Sequence, residues 1–248
     1  MQYDQHYLID ETIVTAMIQA LDITKNDVIL EIGPGTGAIT KTLAETNHKI
    51  IAIEKDKELA PHLSTLPNNV LVIYGDALEH IHHFAYTKII SNVPFSLVEP
   101  LFRVLHKQTF DKAVLLVGEQ FYNNMQHEGL WYSIINNFYE LKQTIPVPAT
   151  SFNPQPRTAG IILVLTKKEG TGLIREFLLQ DDKKVKNALL YSYVHEGKTK
   201  KEAKTIIAGL GLPELLLEKP SHMISNKEFL LIKQHLENTS SDDFVEKV

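Results

Sequence analysis

The sequence has 248 residues, of which 44% are hydrophobic and 22% are charged, and it contains no cysteine. This size and composition are typical of a globular protein with one large domain, alone or with a smaller appendage. The lack of cysteine excludes disulfides, thiolate metal ligands and a cysteine nucleophile. The formal net charge of −5 excludes a basic surface spread over the whole chain, so a surface that binds nucleic acid has to be local.

Neither a membrane span nor an export signal is evident in the sequence. No apolar run approaches the ~20 residues that a transmembrane helix needs. Residues 1–5 lack the basic start and apolar core of a secretory signal. We therefore expect a cytoplasmic protein with no membrane partner.

The first two thirds of the chain alternate between helical and strand patterns. Asp10 is a suitable N-cap for a helix whose apolar residues recur at helical spacing up to Leu21. Seven apolar segments predict strands, at Val28–Ile32, Lys49–Ile53, Val70–Tyr74, Lys88–Ile90, Ala113–Val117, Thr144–Ala149 and Gly160–Leu165. Helical stretches separate the first five, which indicates a parallel sheet covered on both faces, whereas the last two predict an antiparallel pair.

The strand signal stops after about residue 168. Helical periodicity continues at Arg175–Leu179, Lys184–Val194, Lys200–Gly209 and Asn226–Leu236. We predict an α/β domain over residues 1–168 and a small helical domain over residues 169–248.

A glycine-rich turn follows the first strand, in the segment Glu31-Ile-Gly-Pro-Gly-Thr-Gly37. Gly33 and Gly35 permit positive φ and a close approach of a ligand to the backbone. The glycine spacing fits the G-x-G-x-x-G dinucleotide pattern poorly. A plain strand-to-helix turn is the alternative interpretation.

Acidic residues stand at the ends of three strands, at Glu31, Glu54 and Asp76. The carboxyl ends of parallel strands share one edge, where doubly wound sheets bind ligands. Glu54 is spaced to reach two ribose hydroxyls, and Asp76 with the amide of Ala77 to hold the edge of an adenine. An acidic pocket suits the ammonium and sulfonium of S-adenosylmethionine (SAM), whereas a phosphate ligand favours a lysine in the turn. We therefore predict SAM as the cofactor; helix capping is the alternative role for each acid alone.

The segment Asn92-Val-Pro-Phe95 follows the fourth strand, beside that turn. The Asn92 side-chain oxygen and the Val93 or Pro94 carbonyl can each accept one N–H of a planar amine and turn its lone pair towards a methyl donor. Phe95 offers a stacking face for a base. These features predict methyl transfer by positioning and oriented dipoles. A simple strand-ending turn is the alternative.

The loop at residues 151–157 and two polar clusters complete the candidate features. Phe152 is placed to stack on the other face of an extruded base, or else to lie in the core. The lysines between Lys183 and Lys204 predict either an RNA-binding patch or a solvated helix face. No carboxylate stands at ligand spacing from His80, His82 and His83, so we predict no metal site.

Five segments in order resemble the rRNA adenine N6,N6-dimethyltransferases, the KsgA/Dim/Erm group, over nearly the whole chain. They are Gln5–Asp10 (family pattern Q-[NH]-[FY]-L-x-D), Glu31–Thr40 (E-I-G-x-G-x-G-x-x-T), Gly75–Leu78 (G-D-A-L), Asn92–Phe95 (N-[LIV]-P-[YF]) and Phe152–Pro156 (F-x-P-x-P). The run at residues 183–190 resembles the archaeal and eukaryotic branch.

The resemblance implies a class I SAM-dependent methyltransferase fold, Rossmann-like with a mostly parallel seven-stranded sheet, and a small C-terminal helical domain that contacts RNA. It implies SAM contacts at His6, Leu8, Gly33, Gly35, Glu54, Asp76, Ala77 and Asn92, and a catalytic group of Asn92, Pro94 and Phe95 with Phe152 as the opposing stack. The implied substrate is a pair of adjacent adenosines near the 3′ end of small-subunit rRNA. We expect a monomer that meets rRNA in a small-subunit precursor.

Three other functions remain as alternatives. One is methylation of another planar amine, in large-subunit rRNA, DNA or a glutamine side chain, although DNA enzymes usually have proline where Val93 stands. Another is a non-catalytic factor for ribosome assembly or transcription that keeps the fold as a nucleic-acid platform. An NAD-type oxidoreductase is disfavoured by the glycine spacing.

Overall fold

The computed structural model describes residues 6–242, with side chains described as far as residue 237. The chain divides into two compact units. The first takes the chain up to Asn123 together with Glu140–Lys167, and the second takes Asn124–Tyr139 and the chain from Lys168 onward. Asn124–Tyr139 therefore differs from the predicted division, which assigned it to residues 1–168. It joins the second unit through contacts such as the Leu130 amide donating to Asn226 Oδ1 at 2.8 Å.

The elements alternate along the chain much as the hydrophobic pattern indicates. Up to residue 126 they are β1 (Tyr7–Leu8), α1 (Glu11–Leu21), β2 (Val28–Ile32), α2 (Ala38–Ala44), β3 (Lys49–Glu54), α3 (Ala60–Leu63), β4 (Val70–Tyr74), α4 (Ala77–His80), β5 (Lys88–Asn92), α5 (Val98–Leu105), β6 (Lys112–Gly118) and α6 (Glu119–Gln126). From there they are α7 (Leu130–Phe138), β7 (Tyr139–Val147), β8 (Phe152–Asn153), β9 (Gly160–Lys167), α8 (Leu173–Leu178), α9 (Val185–His195), α10 (Lys200–Gly209), α11 (Glu214–Leu217) and α12 (Asn226–Asp242).

Seven strands form one mostly parallel sheet in the order β4-β3-β2-β5-β6-β9-β7. The pairings from β4 to β6 are parallel, and β9 runs antiparallel to β6. The predicted mostly parallel seven-stranded sheet is therefore confirmed. Because β2 lies between β3 and β5, the strand order reverses beside β2, and such a reversal opens a crevice at the carboxyl edge of the sheet.

The middle of the sheet is the core of the first unit. The apolar residues of β2, β5 and β6, such as Leu30, Ile90 and Leu115, are fully buried, as expected for parallel strands covered on both faces. Asp10 caps α1 as predicted, with its Oδ1 accepting from the Thr12 amide at 3.0 Å.

β1 and β8 form a separate two-stranded antiparallel sheet in which Leu8 lies opposite Phe152. Both side chains are 3% exposed and belong to the core cluster beside the main sheet. Ser151 Oγ donates to Asp10 Oδ2 at 2.9 Å, so this pairing is tied to the start of α1. The pairing carries the N-terminal segment to the carboxyl side of the sheet, where Asn92 Nδ2 bonds to the His6 carbonyl.

A buried ion pair lies at the opposite end of the sheet, where the parallel strands begin. Lys88 Nζ lies 3.1 Å from Asp27 Oδ2 and also donates to the carbonyls of Leu21 and Asp22. Burial alone would raise the pKa of Asp27, but hydrogen bonds from Thr87, from Thr24 and from Lys88 outweigh it and hold the pKa well below its usual range.

Replacing Lys88 by methionine is expected to destabilise the protein by roughly 3–5 kcal/mol, because Asp27 stays buried without its counter-ion. Thermal unfolding measures the loss, with Lys49→Met at an exposed position of β3 as the control. Asp27 has a depressed pKa in the folded protein, so its stabilisation is present at neutral pH and fades as pH falls below about 4. The difference in melting temperature between Lys88→Met and the unmodified protein should therefore become smaller at acidic pH. Equal melting temperatures for the two variants would contradict the structural role of the pair.

Helices make up most of the second unit. α10 begins with a capping box in which Thr199 and Glu202 satisfy each other's amides. Arg175 lies over the Phe138 ring at 4.3 Å and donates to the Lys168 carbonyl at 3.1 Å. Within the described residues, no helix combines the length and apolar character needed to cross a bilayer.

Candidate functional site

A cleft lies at the carboxyl edge of the sheet, where the strand order reverses beside β2. It has two lobes that share Gly33, Glu54 and Pro94 as lining residues. The aromatic lobe adds His6, Tyr7, Asn92 and Phe95, and the acidic lobe adds Lys55, Asp56, Asp76 and Ala77. The lobes contain about 480 Å³ and about 700 Å³ of empty space, including the part open to solvent. Both lobes are partly open to solvent, so a ligand can enter the cleft from outside.

The glycine turn between β2 and α2 lines the cleft, with Gly33 in both lobes and Gly35 in the aromatic lobe. Gly33, Gly35 and Gly37 have φ values of 67°, 58° and 85°, a region that other residues rarely adopt. A Cβ on Gly35 would lie 3.1 Å from the Tyr7 ring. The backbone conformation therefore favours glycine at position 35, and a side chain there would also have to displace the Tyr7 ring. The amide of Gly35 donates to Glu54 Oε2 at 3.0 Å.

Glu54 and Asp76 line the acidic lobe, as the strand-end pattern predicts. Glu54 is 5% exposed, and its Oε1 accepts from the Asp56 amide at 2.8 Å. Asp76 Oδ1 accepts from the Leu78 amide at 2.9 Å, and Lys55 Nζ lies 2.7 Å from Asp76 Oδ2. The hydrogen bond from Lys55 holds the pKa of Asp76 below its usual range. Both carboxylates are thus fixed by backbone amides and can accept from hydroxyl and amine donors.

Glu31 differs from the other two acids because it does not line either lobe. It is 1% exposed, and its Oε2 has no hydrogen-bond partner among the described residues. Burial raises the pKa of Glu31 to about 8. Glu31 is therefore mostly protonated at pH 7 and adds little charge beside the cleft.

We expect Glu31→Gln to fold and to bind SAM like the unmodified protein, because glutamine resembles the protonated acid in shape. Folding raises the pKa of Glu31, so the unfolded chain binds fewer protons and stability falls as pH rises from about 4.3 to about 8. Glu31→Gln has no titratable group at this position, so the contribution of Glu31 to the fall in stability with rising pH is absent. Urea unfolding at pH 5, 6.5 and 8 should show a flatter pH dependence for Glu31→Gln than for the exposed control Glu45→Gln. Parallel pH curves for the two variants would contradict a buried neutral Glu31.

Asn92 stands at the aromatic lobe with its amide held in one orientation. Its Nδ2 donates to the His6 carbonyl at 2.9 Å. Because a carbonyl only accepts, the atom facing His6 must be the amide nitrogen, and Oδ1 remains as the acceptor. The Val93 amide donates to the Leu116 carbonyl at 3.0 Å, so the turn after β5 is anchored to β6.

The rest of the Asn92–Phe95 turn places an aromatic ring beside this acceptor. The Phe95 ring packs 3.3 Å from the position that a Cβ on Gly118 would take, and lies 5.8 Å from the His6 ring. The carbonyl of Pro94 accepts from the Leu97 amide at 2.8 Å. Of the two backbone acceptors considered from sequence, the Val93 carbonyl is therefore the better candidate.

The structure brings most of the predicted site residues together and leaves two apart. His6, Gly33, Gly35, Glu54, Asp76, Ala77, Asn92, Pro94 and Phe95 line the cleft. The side chains of Leu8 and Phe152 lie in the core and line neither lobe. The alternative interpretation, Phe152 in the core, describes this conformation, since β8 pairs with β1 and turns the ring inward. Gln5 lies outside the described residues.

Sequence reasoning missed several residues of the cleft, including Tyr7 and Lys55. Tyr7 packs against Gly35. Its position between His6 and Leu8, two predicted SAM contacts, could have identified it. Lys55 pairs with Asp76 across 21 residues of sequence, and its position directly after Glu54 was the only hint. Among the described residues, no group of three or more histidines and carboxylates is arranged to hold a metal ion.

Comparisons with known proteins agree with this geometry. Residues 1–226 match the family model described as ribosomal RNA adenine dimethylase. A protein of Methanococcus vannielii, named as a probable ribosomal RNA small subunit methyltransferase A, is 31% identical over 256 residues that cover 98% of this chain and 88% of the relative.

Two solved structures share the fold at low identity. A dimethyladenosine transferase from Plasmodium falciparum has a TM-score of 0.61 at 21% identity, over 95% of this chain and 98% of that one. The 23S rRNA methyltransferase ErmE has a TM-score of 0.56 at 16% identity, over 93% and 99% of the two chains. The predicted class I SAM-dependent methyltransferase fold is confirmed. Since the family model spans most of the sequence, the predicted SAM-dependent methylation of rRNA adenine is confirmed as well: the chain belongs to the ribosomal RNA adenine dimethylase family.

Proposed function

We propose that this chain adds two methyl groups to N6 of each of two adjacent adenosines near the 3′ end of small-subunit rRNA. The observation that carries this proposal is the Asn92 amide, held by the His6 carbonyl beside a cleft that continues into the acidic lobe. The curated relatives that share the sequence over most of its length bear the name of small-subunit methyltransferases. We further propose that the enzyme acts in the cytoplasm as a monomer.

The acidic lobe fits the donor in charge and in shape. Bound SAM supplies a methyl group on a positively charged sulfur. Glu54 is placed to accept from the two ribose hydroxyls, and Asp76 with the Ala77 amide to hold the adenine edge. Gly33 and Gly35 let the backbone approach the amino-acid end. His6 lines the aromatic lobe, whereas Leu8 contributes through the backbone of β1 because its side chain is buried.

The aromatic lobe fits the acceptor base. In the proposed complex, Asn92 Oδ1 and the Val93 carbonyl each accept one N–H of the adenine amine, which turns the nitrogen lone pair towards the methyl group. No strong base is required, since the proton becomes acidic only as the C–N bond forms and then passes to solvent. After the first transfer one N–H remains, so one acceptor is enough to orient the amine for the second. The chain thus acts by positioning and by oriented dipoles.

The target base has to leave its stack to reach Asn92. Phe95 then provides one stacking face. Phe152 can serve as the opposing face only if β8 separates from β1 when RNA binds, because its ring is in the core in the free protein. We propose that the helical domain over residues 169–248 contacts the RNA outside the cleft, in a small-subunit precursor.

Transfer of tritiated methyl groups tests the proposal directly. Under-methylated small and large ribosomal subunits are incubated with labelled SAM, and the modified nucleotide is then mapped. The expected result is dimethyladenosine at two neighbouring positions near the 3′ end of small-subunit rRNA. Label in the large subunit would favour another planar amine as the target. Binding to the small subunit without any label would favour the non-catalytic assembly factor.

A further inference from the structure

The lysines between residues 183 and 204 form two groups with different surroundings. The first group, at the start of α9, consists of Lys183, Lys184 and Lys186. The second group consists of Lys200, Lys201 and Lys204 on α10, and is called the α10 lysine face below. The groups carry equal numbers of charges, so their surroundings decide which one can attract a polyanion.

Carboxylates of the same unit offset part of the charge of the first group. Lys184 Nζ lies 2.8 Å from Glu218 Oε2, and Lys186 bonds to the other oxygen of the same carboxylate. Hydrogen bonds from both lysines lower the pKa of Glu218 to about 2. Lys183 lies 3.6 Å from Asp182. Two carboxylates thus offset part of the charge of three lysines, which reduces the attraction of the first group for a polyanion.

The α10 lysine face has no such compensation. All three side chains are exposed, and no ion pair or hydrogen bond joins any of them to a carboxylate in the described part of the chain. The nearest acid in sequence, Glu202, uses its carboxylate to accept from the Thr199 amide at 2.7 Å and the Thr199 hydroxyl at 2.6 Å. Lys204 follows Lys200 by four residues and Lys201 by three, so the three charges share one side of the helix and repel one another.

We propose that the α10 lysine face binds the phosphate backbone of the RNA substrate outside the catalytic cleft. The inference rests on the proposed function, which makes RNA the polyanion. Lysine charges that neutralise phosphates release condensed counterions and supply much of the affinity for RNA. Because the whole chain has a net charge of −5, this attraction has to come from a local cluster, and the α10 lysine face combines three exposed lysines, none of which is in a direct ion pair within the described part of the chain.

Two matched triple variants of the full chain test the proposal. One carries Lys200→Gln, Lys201→Gln and Lys204→Gln, the other Lys183→Gln, Lys184→Gln and Lys186→Gln. The probe is a fluorescently labelled transcript of the 3′ region of small-subunit rRNA, titrated at several salt concentrations between 50 and 200 mM. For the α10 variant we expect the slope of log Kd against log salt to fall by about 2–3. The first-group variant should lose less of the slope, because its lysines are partly offset by Asp182 and Glu218.

Further readouts separate charge loss from misfolding and from failure of the catalytic proposal. SAM affinity and the circular dichroism spectrum should stay unchanged in the α10 variant, while KM for RNA rises and kcat at saturating RNA is retained. A triple arginine variant at the same positions should keep the salt slope. An unchanged slope in the α10 variant, or an equal loss in the first-group variant, overturns the inference. If the unmodified protein methylates no RNA, the proposed function fails, whereas the two slopes still decide whether α10 binds RNA.

Discussion

Asn92→Ala is expected to abolish methyl transfer to RNA while SAM still binds. The substitution removes the side-chain oxygen that orients the amine, and it leaves Glu54 and Asp76 in place. Removing one positioned polar group from an active site typically lowers kcat by about 10²–10³-fold. The effect should be at or above that range, because Asn92 is the only side chain that we propose as a hydrogen-bond acceptor for the amine.

Single-turnover methylation with saturating SAM and RNA measures this loss, and calorimetry with SAM measures binding separately. Asn92→Asp keeps an acceptor oxygen but loses the donor to the His6 carbonyl, so its rate should lie between those of the unmodified protein and Asn92→Ala. The control is Asn136→Ala, which removes an exposed amide that bonds to the Tyr132 carbonyl of its own helix. Full methylation by Asn92→Ala would disprove the proposed catalytic role.

Strands that consist of short apolar runs were predictable from sequence because their signal is local. Val28–Ile32 and Val70–Tyr74 have the bounds that the apolar runs indicate, and the strand-end acids Glu54 and Asp76 follow from the parallel arrangement. β7 is different, since it begins at Tyr139 and not near residue 144. Its burial pattern is mixed. Residues 139–142 alternate between apolar and polar, but Gln143 interrupts the alternation, so the pattern is too short to predict a strand there.

The position of Phe152 was not predictable in the same way. β8 has two residues, too few for a period of two to be recognised, and its partner Leu8 lies 144 positions earlier in the chain. The neighbouring prolines suggest a stiff loop but do not say which way the ring points. The pairing of two short strands that are distant in sequence decides the burial of Phe152.

Charge patterns along the chain were ambiguous for a related reason. Counting lysines from 183 to 204 cannot show that Glu218 pairs with two of them, because tertiary packing brings this residue, which directly follows α11, to the start of α9. In the same way, Glu31 and Glu54 are alike in the strand-end pattern. Both are buried, but Glu54 accepts from two backbone amides and lines the cleft. Glu31 Oε2 has no hydrogen-bond partner among the described residues, and burial raises the pKa of Glu31 to about 8.

Glu54→Gln and Glu54→Ala are expected to weaken SAM binding by about 10–100-fold and to lower kcat at saturating SAM much less. Both carboxylate oxygens accept from backbone amides, those of Gly35 and Asp56, so the carboxylate fixes the glycine turn as well as the ribose. A hydrogen bond to a charged group contributes about 1.5–3 kcal/mol, and about 1.4 kcal/mol corresponds to a tenfold change in affinity. Glutamine turns one acceptor into a donor that faces a backbone N–H, so it should not rescue the alanine variant.

Titration calorimetry with SAM, together with KM for SAM at saturating RNA, separates the binding defect from a chemical one. Glu58→Gln is the matched control, since Glu58 is exposed four residues further along the chain and lines neither lobe. A lower kcat with unchanged SAM affinity would mean that Glu54 acts on the acceptor base, and it would move the donor out of the acidic lobe. If only KM for SAM rises and kcat is unchanged, SAM binds in the acidic lobe and Glu54 acts in SAM binding. Asn92 then acts in the methyl-transfer step, and the two side chains have separate roles in the reaction.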